Sequence, residues 1–384
     1  MKPVSFIWVL CGLMVVVFLL HWLALRQVFP ERWARRLQRL SLTVFLLTGL
    51  GIMLRSYVFR YFPVSPGVLL QAAVIVFVTE ALFVLLVALG VLWQRLAGLC
   101  GPVRVDWGRR RLLRHAAAYP ALALAGGLYG GLYEKSATVV REHILPVAEL
   151  PAALRGFRIA QLSDVHLGWF FTLEDYRQLL ERTAAGAPDA LVLTGDIFDD
   201  DALNARAVAL TAQYVARFPQ GIWYIYGNHE HMRNFPAIRA ALQETQIHLL
   251  VNEAAAVTTG EQPLFFAGVD YPFARGEAFA AQRRAFAAQA FAGVPQGAVT
   301  VLLAHHPEFI DDGAAHGAVL TLTGHTHGCQ VGVFGMPLLP MFKYNRGLVH
   351  AGGHTGYVHS GNGSWFPCRI GCPPEIAYFT LRRA

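Results

Sequence analysis

The sequence predicts an α/β domain preceded by an α-helical membrane region. Three observations carry this expectation. The first third consists of long apolar stretches almost free of charge. The remainder alternates short apolar runs with amphipathic stretches of helical period. The whole chain is 55% hydrophobic and 15% charged, with a mean hydropathy of +0.40. Soluble globular proteins lie near about 45–50% apolar and about 25% charged. This composition excludes a disordered chain and argues against a purely soluble one.

The 384 residues carry a net charge of +7, unevenly spread. Residues 1–134 hold 14 Lys/Arg and 4 Asp/Glu, whereas residues 135–384 hold 18 and 21. The basic excess is therefore confined to the apolar third, and no nucleic-acid partner is expected.

Val4–Leu25 runs for 22 residues without Asp, Glu, Lys or Arg. A helix crosses a bilayer core of about 30 Å with about 20 apolar residues, so this run predicts a first span. The alternative is a signal peptide, but the run exceeds a usual h-region, only Lys2 precedes it, and further apolar runs follow. Leu40–Phe59 predicts a second span, with Arg55 near its end able to snorkel. Val68–Trp93, interrupted by Glu80, predicts a third. Ala116–Tyr133 predicts a short fourth that contains Pro120 and four glycines, residues tolerated in membrane helices. Arg26, Arg32, Arg35, Arg36 and Arg39 are expected between spans one and two. Arg95, Arg104, Arg109, Arg110, Arg111 and Arg114 are expected between spans three and four, and only Arg60 between two and three. Basic loops stay cytoplasmic. With four spans the amino terminus and everything after Tyr133 are then extracytoplasmic; without the fourth, the large domain is cytoplasmic. Glu80 is an intramembrane acid, either functional or a helix–helix hydrogen-bonding group, with no intramembrane Lys as partner.

Residues 134–156 read as a linker with Pro146 and Pro151, so the expected organisation is a transmembrane region over 1–133, the linker, and an α/β domain over 157–384. In that domain Phe157–Leu162 is strand-like and Thr172–Thr183 helical, with Thr172 and Asp175 forming a capping-box pattern. Ala190–Thr194 predicts a strand, Asn204–Phe218 a helix, Gly221–Tyr226 a strand and Pro236–Thr245 a helix. His248–Val251, Ala254–Thr258 and Leu264–Val269 are shorter strands. Glu277–Phe291 is helical, Val299–Ala304 and Val319–Thr323 are strands, and Glu375–Leu381 closes the domain. Such alternation predicts sheets with helices outside.

Five strands end in groups suited to metal or phosphate. They run into Ser163-Asp164-Val165-His166, Gly195-Asp196, Gly227-Asn228-His229-Glu230, His305-His306-Pro307 and Gly324-His325-Thr326-His327. Open α/β sheets gather ligands at the carboxyl ends of their strands. Asp-x-His and His-x-His let one extended segment aim two ligands the same way. Any one of these residues alone is more often a satisfied polar side chain or a turn; the argument is their conjunction.

Asp-x-His, Gly-Asp, Gly-Asn-His-Glu, a later His and Gly-His-x-His together resemble the calcineurin-like metallophosphoesterase superfamily. The resemblance covers about residues 150–384, and the layout of spans followed by this domain resembles its membrane-anchored bacterial branch. The resemblance implies two packed mixed β-sheets flanked by helices, a four-layer sandwich. It also implies a site for two divalent metal ions. Asp164, His166, Asp196 and His327 would hold the first; Asp196 (bridging), Asn228, His305 and His325 the second. His305 is preferred to His306 because the family ligand directly follows the strand. His229 would face the substrate as the catalytic residue.

The residue chemistry agrees. Two ions can clamp the attacking and leaving oxygens of an in-line displacement, and they make hydroxide available near neutral pH. Four imidazoles favour Mn, Fe, Zn or Ni over Mg or Ca. The expected function is a membrane-anchored, metal-dependent phosphoesterase, in which hydroxide bridging the ions attacks a phosphate ester, preferentially a diester. The bilayer is the expected partner, and the tether suggests a lipid-linked or envelope substrate. The alternatives are a non-catalytic phosphate-binding or sensing module, which would lack a ligand, and a transporter with an accessory domain, which would carry more intramembrane polar residues.

There are departures from the family pattern. Gly328-Cys329-Gln330 stands where the family has Gly-Gly-Gln, with Cys329 read as a small packing residue. Ile197-Phe198-Asp199-Asp200 does not match the serine/threonine phosphatase run of Val-Asp-Arg-Gly type. Asp199, Asp200 and Asp201 read as a solvated helix start. Cys329, Cys368 and Cys372 allow one disulfide with three possible pairings. His231, His306, His316 and His359 are not assigned by the motif. His350 and His354, in a Gly-rich loop, are either surface residues or pocket-lining ones.

Overall fold

The computed structural model describes residues 3–53, 66–99, 118–258, 263–333, 336–338, 340–351, 354–364 and 366–384. It forms two compact units, Met1–Tyr133 and Glu134–Ala384.

In the first unit, helix Pro3–Val28 covers the first apolar run. It stops at Phe29, where the following Pro30 disfavours continued α geometry. Helix Glu31–Met53 then begins earlier than expected: Arg32, Arg35, Arg36 and Arg39 lie on its first turns and not in a loop. Arginine is a good helix former, and a search for apolar runs does not see it. The third helix, Pro66–Leu99, contains Gly67–Trp93, the one stretch among the described residues long and apolar enough to cross a membrane. The fourth run forms Ala118–Leu128, eleven residues, continued by a π-helical turn over Tyr129–Tyr133. Residues 54–65 and 100–117 lie outside the described residues, and with them Arg55, Phe59, Arg60, Cys100, Arg104, Arg109, Arg110, Arg111, Arg114 and Ala116, as does Lys2 at the amino terminus. Of the two readings of Glu80, the structure shows the helix–helix hydrogen-bonding group. The Ser41 hydroxyl donates to its carboxylate, and His21 Nδ1 lies 3.5 Å away. Three helices are thereby joined through one buried polar cluster.

The second unit contains strands β1 (Val139–Val147), β2 (Arg158–Leu162), β3 (Ala190–Leu193), β4 (Ile222–Tyr224), β5 (His248–Leu249), β6 (Glu253–Ala256), β7 (Phe265–Gly268), β8 (Thr300–Leu303), β9 (Leu320–Thr323), β10 (Gly332–Val333), β11 (Met336–Pro337), β12 (Gly347–Ala351), β13 (His354–Val358) and β14 (Glu375–Arg383). Two six-stranded mixed sheets run β1-β14-β2-β3-β4-β5 and β12-β13-β9-β8-β7-β6. Strands alternate side chains between faces, and both faces are buried here. Ile159, Val192, Trp223 and Phe379 of one sheet meet Phe266, Val301, Leu303 and Leu322 of the other. Ala160, Leu191, Leu193 and Tyr224 turn outward onto helices Leu173–Ala185 and Asn204–Ala212. Ala267, Leu302 and Ala304 face helices Glu277–Phe291 and Phe309–Ala315. The result is four layers. The capping box at Thr172 and Asp175 is formed on both sides.

The stretch expected as a linker is partly strand. β1 pairs in parallel with β14 along nine residues, and Leu145 and Val147 enter the inter-sheet core. Its charged residues and Pro146 hide the pattern in sequence. Both are tolerated because β1 is an edge strand. The Gly-rich loop expected around His350 and His354 is likewise the antiparallel β12–β13 hairpin, with Gly352 and Gly353 outside the described residues. A chain truncated to begin at residue 157 would lose β1 and expose the flank of β14. It is expected to melt at lower temperature or aggregate, whereas a chain beginning at residue 134 should unfold cooperatively by circular dichroism. In the longer chain, Leu145→Ala should cost about 2–4 kcal/mol of unfolding free energy.

Candidate metal centre

The carboxyl ends of β2, β3, β4, β8 and β9 converge on one cleft. Consecutive parallel strands force this, because the loops leaving them all emerge at one end. The loops after β2 and β3 run side by side: Asp164 N donates to Gly195 O at 3.0 Å and His166 N to Asp196 O at 3.1 Å. Asp164, His166, Asp196, His325 and His327 all have left-handed backbone, with φ of 52°, 51°, 56°, 74° and 51°. This conformation costs a non-glycine residue about 1–3 kcal/mol, so the surrounding bonds must impose it. Glu230 is the main brace. Its carboxylate accepts from the backbone N–H of Asp196, Ile197 and Gly227 and from the Tyr224 hydroxyl. Two glycines permit the close approach. A Cβ on Gly324 would lie 2.4 Å from Asp164 Oδ2, and one on Gly195 would lie 2.5 Å from Gly227 N.

Asp196 stands at the centre. Its Oδ1 accepts His229 N at 2.8 Å. Its Oδ2 lies 3.1 Å from His305 Nε2, 3.9 Å from His166 Nε2 and 4.0 Å from His229 Nε2. Burial works to raise the Asp196 pKa, but His305, His229 and His166 hold it well below the usual carboxylate range. On one side Asp164, His166 and His327 form a cluster: His166 Nε2 and His327 Nε2 are 2.9 Å apart, and Asp164 Oδ1 is 3.4 Å from His327. On the other side are Asp196, His305 and His325.

The donor set fits cations. His305 Nδ1 bonds the Thr194 carbonyl at 2.7 Å, which directs the buried Nε2 at Asp196 Oδ2. Asn228 Oδ1 is buried and unpartnered. His166 Nδ1 is held by Asp199 Oδ2 at 3.0 Å, turning Nε2 toward His327. These are the marks of imidazoles oriented as metal ligands. All seven predicted ligands lie in this cleft. His306, the alternative to His305, turns instead against Phe279 in an edge contact.

Asp199 corrects the reading of a solvated helix start. It is half-buried at the cleft, where its two oxygens hold His166 and His229, and Arg233 caps it at 3.0 Å. Only Asp200 and Asp201 serve the exposed turn. A usable signal existed: a metal-bound imidazole needs an acceptor for its second N–H, and Asp199 lies three residues after Asp196. His229 sits at the cleft mouth. Burial lowers its pKa, but Asp196 and Asp199 outweigh this and raise it to about 9. Tyr271, also missed, brings its hydroxyl to 3.3 Å from His325 Nε2. Buried Arg369 reaches the carbonyls of Ser360, Gly363 and Cys372 and lies 3.4 Å from His327 Nδ1. His354 does not line the cleft; it is buried and bonds Thr321 and the Ala318 carbonyl. His231 pairs with Asp270, and His316 stacks on Phe291. Cys329, Cys368 and Cys372 are all free thiols, so none of the three disulfide pairings is formed. Burial pushes the Cys368 thiol up to about 12.

A family model described as calcineurin-like phosphoesterase matches residues 157–329, from β2 through the last ligand. Over these residues the chain is similar to the calcineurin-like metallophosphoesterase family. The chain is similar to an uncharacterised metallophosphoesterase, YkuE, of Bacillus subtilis, 28% identical over 71% of this chain and 97% of that protein. An uncharacterised metallophosphoesterase of Helicobacter pylori is 29% identical over 68% of each chain. A Danio rerio protein named transmembrane protein with metallophosphoesterase domain is 28% identical over 62% of this chain and 56% of its own length. The metallophosphoesterase domain is a metal-dependent phosphoester hydrolase fold whose ligand motifs this chain carries in full.

Asp199→Asn keeps the shape but weakens the acceptor for two imidazoles. Metal affinity is expected to fall about 10–100-fold, read by competition with a chromogenic chelator. Turnover at saturating metal should fall as well, because His229 loses its orientation. Unchanged affinity and turnover would contradict the bracing role.

Proposed function

We propose that the chain is a membrane-anchored, metal-dependent phosphodiesterase. The observation that carries this reading is the position of Asp196 Oδ2 between His305 Nε2 and His166 Nε2, with Asn228 Oδ1 buried and unpartnered in the same cleft. Asp164, His166 and His327 would hold one divalent ion, and Asn228, His305 and His325 the other, with Asp196 shared. The imidazole-rich set favours Mn, Fe or Zn. Bound there, such ions supply an activated water and neutralise charge on the phosphoryl oxygens.

The chain's own groups do the rest. Asp199 fixes His229 through Nδ1, so that Nε2 faces the cleft. Asp196 and Asp199 beside the His229 imidazole favour its protonated form, suited to a phosphoryl oxygen or to protonating the leaving alkoxide. Hydrolysis forms a bond from the water oxygen to phosphorus, breaks the ester P–O bond and returns a proton to the departing oxygen. The missing Val-Asp-Arg-Gly run after Asp196 speaks against a phosphoprotein substrate. The non-catalytic alternative predicts a lost ligand, and all seven are retained.

Membrane association is supported by the apolar helix and by the transmembrane naming of the Danio rerio relative. A multi-pass topology with the catalytic domain extracytoplasmic is the arrangement we propose from the four apolar runs and their basic flanks. In intact cells, a membrane-impermeant protease should then cleave within residues 134–384; protection until the cells are lysed would reverse the orientation.

The hydrolase reading is tested with the full chain, Mn²⁺ and a chromogenic bis-aryl phosphodiester. Chelation should abolish turnover and Mn²⁺ should restore it. Asp196→Asn should lower kcat/KM by about a thousandfold or more, a loss of about 4 kcal/mol in transition-state stabilisation. Metal-independent turnover, or a fully active Asp196→Asn variant, would end the reading.

A further inference from the structure

The exposed large apolar side chains of the catalytic domain are unevenly distributed. Among the described residues, two lie on edge strand β1 and one on β12. The rest are Trp169 after β2, Met232 after β4, Phe273 after β7, and Val333, Met336, Leu338 and Met341 on and just after the β10–β11 pair, which follows β9. Strands β2, β4 and β9 carry metal-ligand motifs at their ends, and β7 is the neighbour of β8, which carries another. Met232 is 61% exposed, Phe273 48% and Met341 75%.

These tips sit just outside the ligand set. Phe273 packs on Tyr271 with ring centroids 5.0 Å apart, and Tyr271 reaches His325. Met341 precedes Phe342, whose ring lies 5.1 Å from that of His325. Met232 ends the short helix that begins at Asn228. Basic residues flank the three tips: Arg233, Arg275 and Lys343. Arg233 pairs with Asp199 and Lys343 with Asp311, while Arg275 is exposed.

Single exposed apolar residues are ordinary on a protein surface, but Phe273 and Met341 each adjoin an aromatic residue that meets His325, and a cleft for a small polar phosphoester gains nothing from them. Apolar tips interleaved with cations match a bilayer surface, where acyl chains lie beneath anionic headgroups. The same chain carries a helix long and apolar enough to cross a membrane, so a lipid surface is within covalent reach. We propose that this collar seats the cleft mouth on a lipid surface, and that the ester hydrolysed is the phosphoester of an amphiphile embedded there. The inference rests on the hydrolase reading above and names its substrate class.

The test uses full-length protein with Mn²⁺ in phosphatidylcholine vesicles containing phosphatidylglycerol. Two probes are compared: bis(p-nitrophenyl) phosphate in solution, and a p-nitrophenyl phosphodiester of diacylglycerol in the bilayer. The Phe273→Ser/Met341→Ser double variant should keep its kcat/KM on the soluble probe within about twofold. On the embedded probe it should lose about tenfold or more, mainly through KM, because ground-state and transition-state seating weaken together. Equal activity of variant and wild type on the embedded probe overturns the proposal. So does a parallel loss on both probes, which marks damage to the site. Wild-type protein inactive on both probes overturns the hydrolase reading beneath it, a result distinguishable because the soluble probe does not need the collar.

Discussion

Everything at the cleft depends on one buried carboxylate. Asp196 has one oxygen tied to the backbone of the helix after β4 and the other directed at three imidazoles from three different loops. A carboxylate in such surroundings cannot remain charged without compensating partners, and histidines supply them from both sides. The shared position makes a two-ion site possible: the same atom lies within reach of both ligand clusters.

That position is maintained by backbone strain spread over five residues. Each left-handed turn reverses the chain directly after a strand, so that a side chain leaving the sheet points back over its end. Glu230 binds three backbone N–H groups from two loops and so carries much of this constraint. Asp199 then orients a ligand imidazole and a substrate-facing one with the same carboxylate. His166 and His229 are therefore coupled through a single side chain, and neither imidazole can be adjusted without the other.

The amino-terminal unit shows the same economy of polar groups in an apolar setting. Ser41 and His21 converge on Glu80 from separate helices. A buried acid among apolar helices is costly, and the Ser41 hydroxyl offsets part of that cost at one carboxylate oxygen. In the catalytic unit the exposed apolar tips do the reverse. They put hydrophobic surface at the rim of a highly polar cleft, an arrangement suited to a substrate with both characters.

The seven candidate ligand positions that the structure brings to one cleft were legible from sequence because the chemistry is local. Asp-x-His and His-x-His follow apolar strands, and a sheet gathers strand ends whatever its exact order. Most strands and helices of the catalytic domain were legible for a similar reason, their hydrophobic period. β1 was not: an edge strand needs apolar residues on only part of one face, and Arg141, Glu142 and Pro146 obscured the alternation. Asp199 was not, because its role lies in what it touches, and its neighbours Asp200 and Asp201 are ordinary turn residues. Nor was the partnership of His21, Ser41 and Glu80, whose members are 20 to 59 positions apart on different helices. Sequence by itself determined the ligand chemistry, the two-part layout and the alternating α/β pattern, since residue type and spacing are properties of the chain. Only the tertiary structure decided which imidazole faces Asp196, which carboxylate braces the site and where the apolar rim falls. Those are contacts between segments that the order of residues does not encode.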